Sequence, residues 1–226
     1  MSNTVPQKAF TFLNKLAKNN DRDWFNENKP EYKAIESEVK EFFNELLLKM
    51  QSYDKLEKLK MFRIYRDVRF SKNKDPYKIH ISGNYIRIKP DLRGSYYLHI
   101  QPGASFIATG FWAPEKDDLL RIRKEFEMDS SEIREILAGK KLKSIWGELE
   151  GEELKTAPKG FNKEHENIDL IRKKQFVFTK NFTDEEVLSP DFINEVNEAF
   201  KAIRPYFDYM TDVLTTDENG LSLIDN

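Results

Sequence analysis

The 226-residue chain has no cysteine, which excludes disulfides, cysteine-ligated zinc, iron–sulfur clusters and thiol nucleophiles together. With 39% hydrophobic and 34% charged residues it has material for one sizeable core and is no disordered polyelectrolyte, and no apolar run exceeds three residues, so a membrane-spanning helix is not expected. The net charge of -2 hides an asymmetry: residues 60–93 hold ten basic side chains against three acids, so an acidic remainder accompanies one basic segment.

Phe10, Leu13, Leu16 and Ala17 recur at helical spacing, and the pattern stops at Asn19-Asn20, which predicts a first helix. Its lysines, Lys8, Lys15 and Lys18, interrupt the apolar positions, unlike a signal peptide, so a cytoplasmic location is expected. Residues 21–27 form a short helical turn bearing Trp24 and Phe25. Asn28 and Pro30 then suit the cap and first turn of a long amphipathic helix with the stripe Tyr32, Ile35, Val39, Phe42, Phe43, Leu46, Leu47 and Met50.

The period changes to two in residues 62–70, which predicts a strand with Phe62, Ile64, Val68 and Phe70 on one face and Arg63, Tyr65, Asp67 and Arg69 on the other. Arg66 interrupts the apolar face. Further strands are expected at residues 84–89, 96–101 and 105–111, with Pro102-Gly103 turning a hairpin between the last two. Pro114 opens a helix with Leu119, Leu120, Ile122 and Phe126 as its apolar positions, and Ser130 or Ser131 can cap a shorter one that ends near Gly139. Residues 143–156 suggest a second hairpin and residues 175–179 another strand. Residues 191–214 carry a last helical stripe that Pro205 kinks or splits. No repeat or linker divides the chain, so the expectation is a single α+β domain over residues 1–226, a central antiparallel sheet flanked by N-terminal and C-terminal helices.

Several strings, in this order, carry a resemblance. They are Asn19-Asn20 with Trp24-Phe25, Asn28-Lys29 and Tyr32; Arg66-Asp67-x-Arg69-Phe70-Ser71-Lys72-x-Lys74-x-Pro76-Tyr77-Lys78; Tyr96-Tyr97-Leu98-His99-Ile100-x-Pro102-Gly103; Gly110-Phe111-Trp112-x-Pro114 with Ile122-Arg123; and Pro158-Lys159-Gly160-Phe161. Together they resemble the uncharacterised family known as domain of unknown function 2461, a set of conserved hypothetical proteins. The resemblance covers nearly the whole chain and implies a family without a mechanism, so no catalytic residue carries over from it.

The residues themselves suggest an anion pocket. Arg66, Arg69, Lys74 and Lys78, with Lys72 beside them and with Asp67, Ser71 and Tyr77, combine guanidinium forks, mobile ammonium groups and hydroxyls that suit phosphate or carboxylate. The structural alternative puts Arg66 and Asp67 in ion pairs that pin a strand and leaves the lysines in water. Asn20, Trp24 and His99 are candidates for the pocket rim, against a plain structural role for Asn20 and Trp24 at a helix corner and for His99 as a hydrogen-bonded sheet residue. The three histidines lie far apart in sequence, no metal-ligand spacing or phosphate-cradling glycine loop is present, and neither metal nor cofactor is called for.

Three functions follow in order: a binding module for a phosphorylated or otherwise anionic small ligand, an enzyme acting on a phosphate-bearing or nucleic-acid substrate by general acid–base chemistry, and an interaction module that docks an acidic protein partner. Nucleic acid ranks below a small anion because the remainder of the chain is acidic. No membrane partner is expected, and the sequence carries no signal of oligomeric state.

Overall fold

In the computed structural model, which describes residues 3–217 and 219–224, Asp21 makes the second helix longer than its sequence suggests. The first helix, α1 (Gln7–Lys18), ends at Asn19. The Asp21 carboxylate then accepts from the backbone N–H groups of Asp23 and Trp24, and α2 runs unbroken from Arg22 to Met50. The expected short turn and separate long helix are therefore one element, and Pro30 lies inside it rather than at its start. Pro30 has no N–H to donate to the Asn26 carbonyl, but it lies on the exposed face, while Phe25, Tyr32, Ile35 and Val39 continue one buried stripe past it.

Five strands form an antiparallel sheet in chain order: β1 (Leu56–Met61), β2 (Ile81–Arg87), β3 (Ser95–Ile100), β4 (Ser105–Phe111) and β5 (Phe176–Phe182). Four of them overlap the expected strands, although β2 begins three residues earlier than expected and β5 ends three residues later. The fifth was expected at residues 62–70 and is instead β1, a charged edge strand just before. Residues 62–80 are irregular, with one isolated bridge between Tyr65 and Tyr77, and the expected apolar face dissolves: Ile64 is buried but Phe70 is 97% exposed.

Between β4 and β5 come α3 (Lys116–Met128), α4 (Ser131–Ala138), α5 (Lys140–Trp146) and the short α6 (Ile168–Ile171). Leu120, expected in the stripe of α3, is half exposed. The second hairpin expected at residues 143–156 is absent. Its first part is α5, and Glu150 and Glu153 instead bridge to Val177 and Lys173. The chain closes with α7 (Asp184–Leu188), α8 (Phe192–Ala202) and α9 (Arg204–Thr215), the last two separated where Pro205 occupies the first turn of α9. The architecture is α+β with N-terminal and C-terminal helices flanking the sheet, and among the described residues no helix is long and apolar enough to cross a membrane.

The chain divides into two units, each with its own aromatic core. The first comprises the chain up to Ile86 with Tyr97–Ile107 and Asn181–Glu198. There Phe42 stacks on Phe192 with centroids 5.8 Å apart, and Tyr85 donates its hydroxyl to the Phe43 carbonyl at 3.1 Å. The second comprises Arg87–Tyr96, Ala108–Lys180 and the chain from Ala199 onward. Trp146 donates its indole N–H to the Ala199 carbonyl at 2.9 Å, and Tyr206 donates to the Phe176 carbonyl at 3.1 Å, so both large polar aromatics are buried with partners. Arg87, fully buried, lies over the Phe207 ring at 4.8 Å and donates to the Arg93 carbonyl at 2.6 Å.

Gly110 sits against the backbone of β5 at Phe176 and Val177. It has φ +119°, and a methyl group added to it would lie 2.2 Å from the Phe176 carbonyl oxygen. Gly110→Ala is expected to lower unfolding free energy by about 3 kcal/mol in urea titration. Gly103→Ala, at φ +73° with open space around it, should cost only about 1 kcal/mol. Equal losses at the two positions would contradict this account.

A cationic concavity beside the second helix

The irregular segment 62–80 is held by a few specific bonds. Its two arms pair through Arg66 N–H to the Pro76 carbonyl at 2.9 Å and Lys78 N–H to the Ile64 carbonyl at 2.7 Å, which produces the Tyr65–Tyr77 bridge. Asn20, between α1 and α2, treats Tyr77 as a neighbouring strand would: its amide donates to the Tyr77 carbonyl at 3.0 Å and its carbonyl accepts from the Tyr77 N–H at 3.1 Å. The Tyr77 ring then stacks on Phe25 of α2 with centroids 4.0 Å apart, and Tyr65 meets both rings, at 6.0 Å from Phe25 and 5.5 Å from Tyr77.

These constraints leave a surface concavity of about 320 Å³ lined by Arg22, Asn26, Tyr65, Arg66, Val68, Pro76 and Tyr77. Arg66 is half-buried there. Its guanidinium donates to the Asp75 carbonyl at 3.2 Å and to the Ser71 hydroxyl at 3.3 Å, both long contacts to neutral oxygens, and among the described residues it has no carboxylate partner. Arg22, the first residue of α2, is exposed and likewise has no carboxylate partner among them.

The other predicted site residues divide. Tyr77 lines the concavity, and Ser71 holds the Arg66 fork. Asp67 and Arg69 instead pair with each other at the surface through bonds of 2.9 and 2.6 Å, which holds the Asp67 carboxyl below the usual range and raises Arg69. Lys74 donates to the Val68 carbonyl at 3.1 Å and so staples the loop. Lys78 is half-buried with its ammonium 5.4 Å from the Phe62 ring, and its pKa is lowered by burial and then by Arg63. Asn20 is the clamp behind Tyr77, and Trp24 packs on Phe12 with centroids 5.6 Å apart. Neither is among the residues that line the concavity.

His99 belongs to a separate cluster in the same unit. Tyr97, His99 and Gln101 alternate on one face of β3 and its continuation, with Tyr96, Leu98 and Ile100 fully buried on the other. His99 Nε2 donates to Gln101 Oε1 at 3.1 Å, which makes Nδ1 the acceptor of the Tyr97 hydroxyl at 3.0 Å. His80 lies against this imidazole with centroids 4.0 Å apart, and His99 also stacks on Phe106 with centroids 4.6 Å apart. Burial lowers the pKa of His99. It also lowers His80, to about 3, with smaller contributions from His99, Lys78 and Arg66. Among the described residues no group of three His, Cys, Asp or Glu side chains could hold a metal ion.

Sequence reasoning missed Arg22, Asn26, Val68 and Pro76 as lining residues. The only available signal for Arg22 was its position directly after the capping Asp21.

Fold and site together define an α+β protein with a cationic, tyrosine-walled concavity on its surface. A family model described as conserved hypothetical protein (DUF2461) matches residues 8–209, and the chain belongs to that family. No curated protein and no solved structure matches it.

The His80 setting has a consequence in acid. An unfolded histidine titrates near 6.5 whereas folded His80 stays neutral down to about 3, so between these values the unfolded chain binds more protons and stability falls as pH falls. Lowering pH from about 7.5 to about 5 should therefore reduce Tm, and His80→Gln should reduce Tm less over the same interval. His99 contributes with the same sign, so part of the dependence remains. An identical pH dependence in a natively folded variant would show that His80 is not its source.

Proposed function

We propose that the concavity between Arg22 and Arg66 binds a small phosphorylated or otherwise anionic ligand. One observation carries the reading: two guanidiniums line the same concavity and neither has a carboxylate partner among the described residues. A half-buried guanidinium that meets only neutral oxygens at 3.2 and 3.3 Å keeps most of its field available to an incoming anion. The like-charged neighbourhood points the same way: burial is the main cause of the lowered His80 and Lys78, and Lys78 and Arg66 add to the first as Arg63 adds to the second.

The volume, about 320 Å³, lies at the lower end for ligand pockets, roughly 300–1,000 Å³, and suits a small molecule. Tyr65, 44% exposed, offers a ring face beside the guanidiniums, so a ligand with a flat ring as well as a phosphate, such as a mononucleotide, uses both walls. A cytoplasmic location is part of the proposal, supported by a chain without cysteine.

Titration calorimetry with adenosine monophosphate tests the reading. Charged hydrogen bonds contribute roughly 1.5–3 kcal/mol each, so Arg66→Gln and Arg22→Gln should each weaken binding on the order of tenfold or more. Arg69→Gln, whose guanidinium serves Asp67, should leave it nearly unchanged. Undiminished affinity in a folded Arg66→Gln variant would remove the proposal.

A further inference from the structure

We propose that the ligand of the concavity is one unit of a short single-stranded nucleic acid, and that Phe70 is the stacking platform for a neighbouring base. The inference rests on the anion-binding reading above and starts from a side chain that reading does not use. Phe70 is 97% exposed, more than any other large hydrophobic side chain among the described residues. The turn that displays it is tied down. Ser71 N–H donates to the Val68 carbonyl at 3.3 Å, Lys74 donates to the same carbonyl at 3.1 Å, Asp67 and Arg69 are bonded to each other, and Asp75 N–H donates to the Asn73 side chain at 2.7 Å. A ring held out in water by an internally bonded turn, with the Arg69 guanidinium over it at 6.0 Å from its centroid, still presents an open face to a partner.

Charge selects the partner. Residues 66–78 carry Arg66, Arg69, Lys72, Lys74 and Lys78 against Asp67 and Asp75, a positive segment in a chain of net charge -2. A partner that brings flat rings and negative charges in alternation satisfies both features, and a nucleic-acid strand has that pattern. A second exposed ring, Tyr65, directly precedes Arg66, packed against Phe25 and Tyr77 in the wall of the concavity. That position favours a strand over an anionic membrane. A bilayer would take up rings grouped at the loop tip, and Tyr65 is set into the wall instead. The acidic balance of the remaining chain limits the contact to a few nucleotides rather than an extended groove.

Phe70→Ala tests this without loss of core packing, because the ring is exposed. Anisotropy of a fluorescein-labelled oligothymidylate should report binding to the full chain that is tighter than adenosine monophosphate binding and weakens steeply with salt. Base–aromatic stacking predicts that Phe70→Ala weakens the oligonucleotide about tenfold and leaves adenosine monophosphate unaffected, whereas Arg66→Gln weakens both. Unchanged oligonucleotide affinity in Phe70→Ala, an oligonucleotide no tighter than the mononucleotide, or Phe70-dependent flotation with phosphatidylserine vesicles in place of oligonucleotide binding would each overturn the strand proposal while leaving the concavity reading standing. Failure of both the mononucleotide and the oligonucleotide to bind would remove the two together.

Discussion

Two hydrogen bonds from a single side-chain amide organise the region on which the functional reading depends. By bonding both the N–H and the carbonyl of Tyr77, Asn20 substitutes for an adjacent strand at a place where the sheet does not reach. Fixing Tyr77 sets its ring on Phe25 and aligns the 76–78 arm with the 64–66 arm, and that pairing brings Asp75 and Ser71 to the Arg66 guanidinium. Leaving either Tyr77 group without a partner would cost about 1–3 kcal/mol, enough to loosen a segment with little regular structure of its own. An asparagine at the end of a helix is ordinary; here the same residue also holds a loop fifty-seven positions away.

The electrostatic contrast within the chain gives Arg66 its significance. Arg93 pairs with Asp118, Arg121 with Glu125 at 2.9 Å, Arg134 with Asp169 at 2.8 Å, and Arg69 with its neighbour Asp67 at 2.6 Å. Those guanidiniums are already compensated, and at the surface such pairs contribute little to stability. Arg66 is half-buried, is bonded to a carbonyl and a hydroxyl, and has no carboxylate partner among the described residues, in a concavity that Arg22 also lines. Within the basic segment, then, Arg69 closes on Asp67 and Lys74 on the Val68 carbonyl, whereas the inner Arg66 guanidinium meets the Asp75 carbonyl and the Ser71 hydroxyl.

Much of the sheet was legible because alternation reports burial directly. Tyr96, Leu98 and Ile100 are buried while Tyr97 and Gln101 are only partly so, and β4 lies where its run of residues placed it. The edge strand β1 escaped notice because its sequence, Leu-Glu-Lys-Leu-Lys-Met, exposes charges on a rim where only one end needs burial. The alternation in residues 62–70 misled for the complementary reason. Aromatic and basic residues alternate there because Tyr65 packs on Phe25 of α2, Phe62 lies against Tyr97 and Phe70 projects into solvent, a pattern that mimics a strand with no sheet behind it. Pro30 was read as a helix start because no local rule reveals that the apolar stripe from Phe25 to Val39 outweighs one missing hydrogen bond. The basic string announced Arg66 and Tyr77, but Arg22 and Asn26 meet them through long-range contacts of α2 and Asn20 with Tyr65 and Tyr77 that no periodicity encodes.

The central claim is that Arg66 is open to an anion and Arg69 is not, and side-chain ¹H–¹⁵N spectra of the arginine Nε–H groups test it most directly. On titration with inorganic phosphate the Arg66 resonance should move progressively and saturate, together with that of Arg22, while the Arg69 resonance holds its position beside Asp67. An Arg66 resonance that stays fixed throughout, or one that moves no more than that of Arg69, would contradict the account.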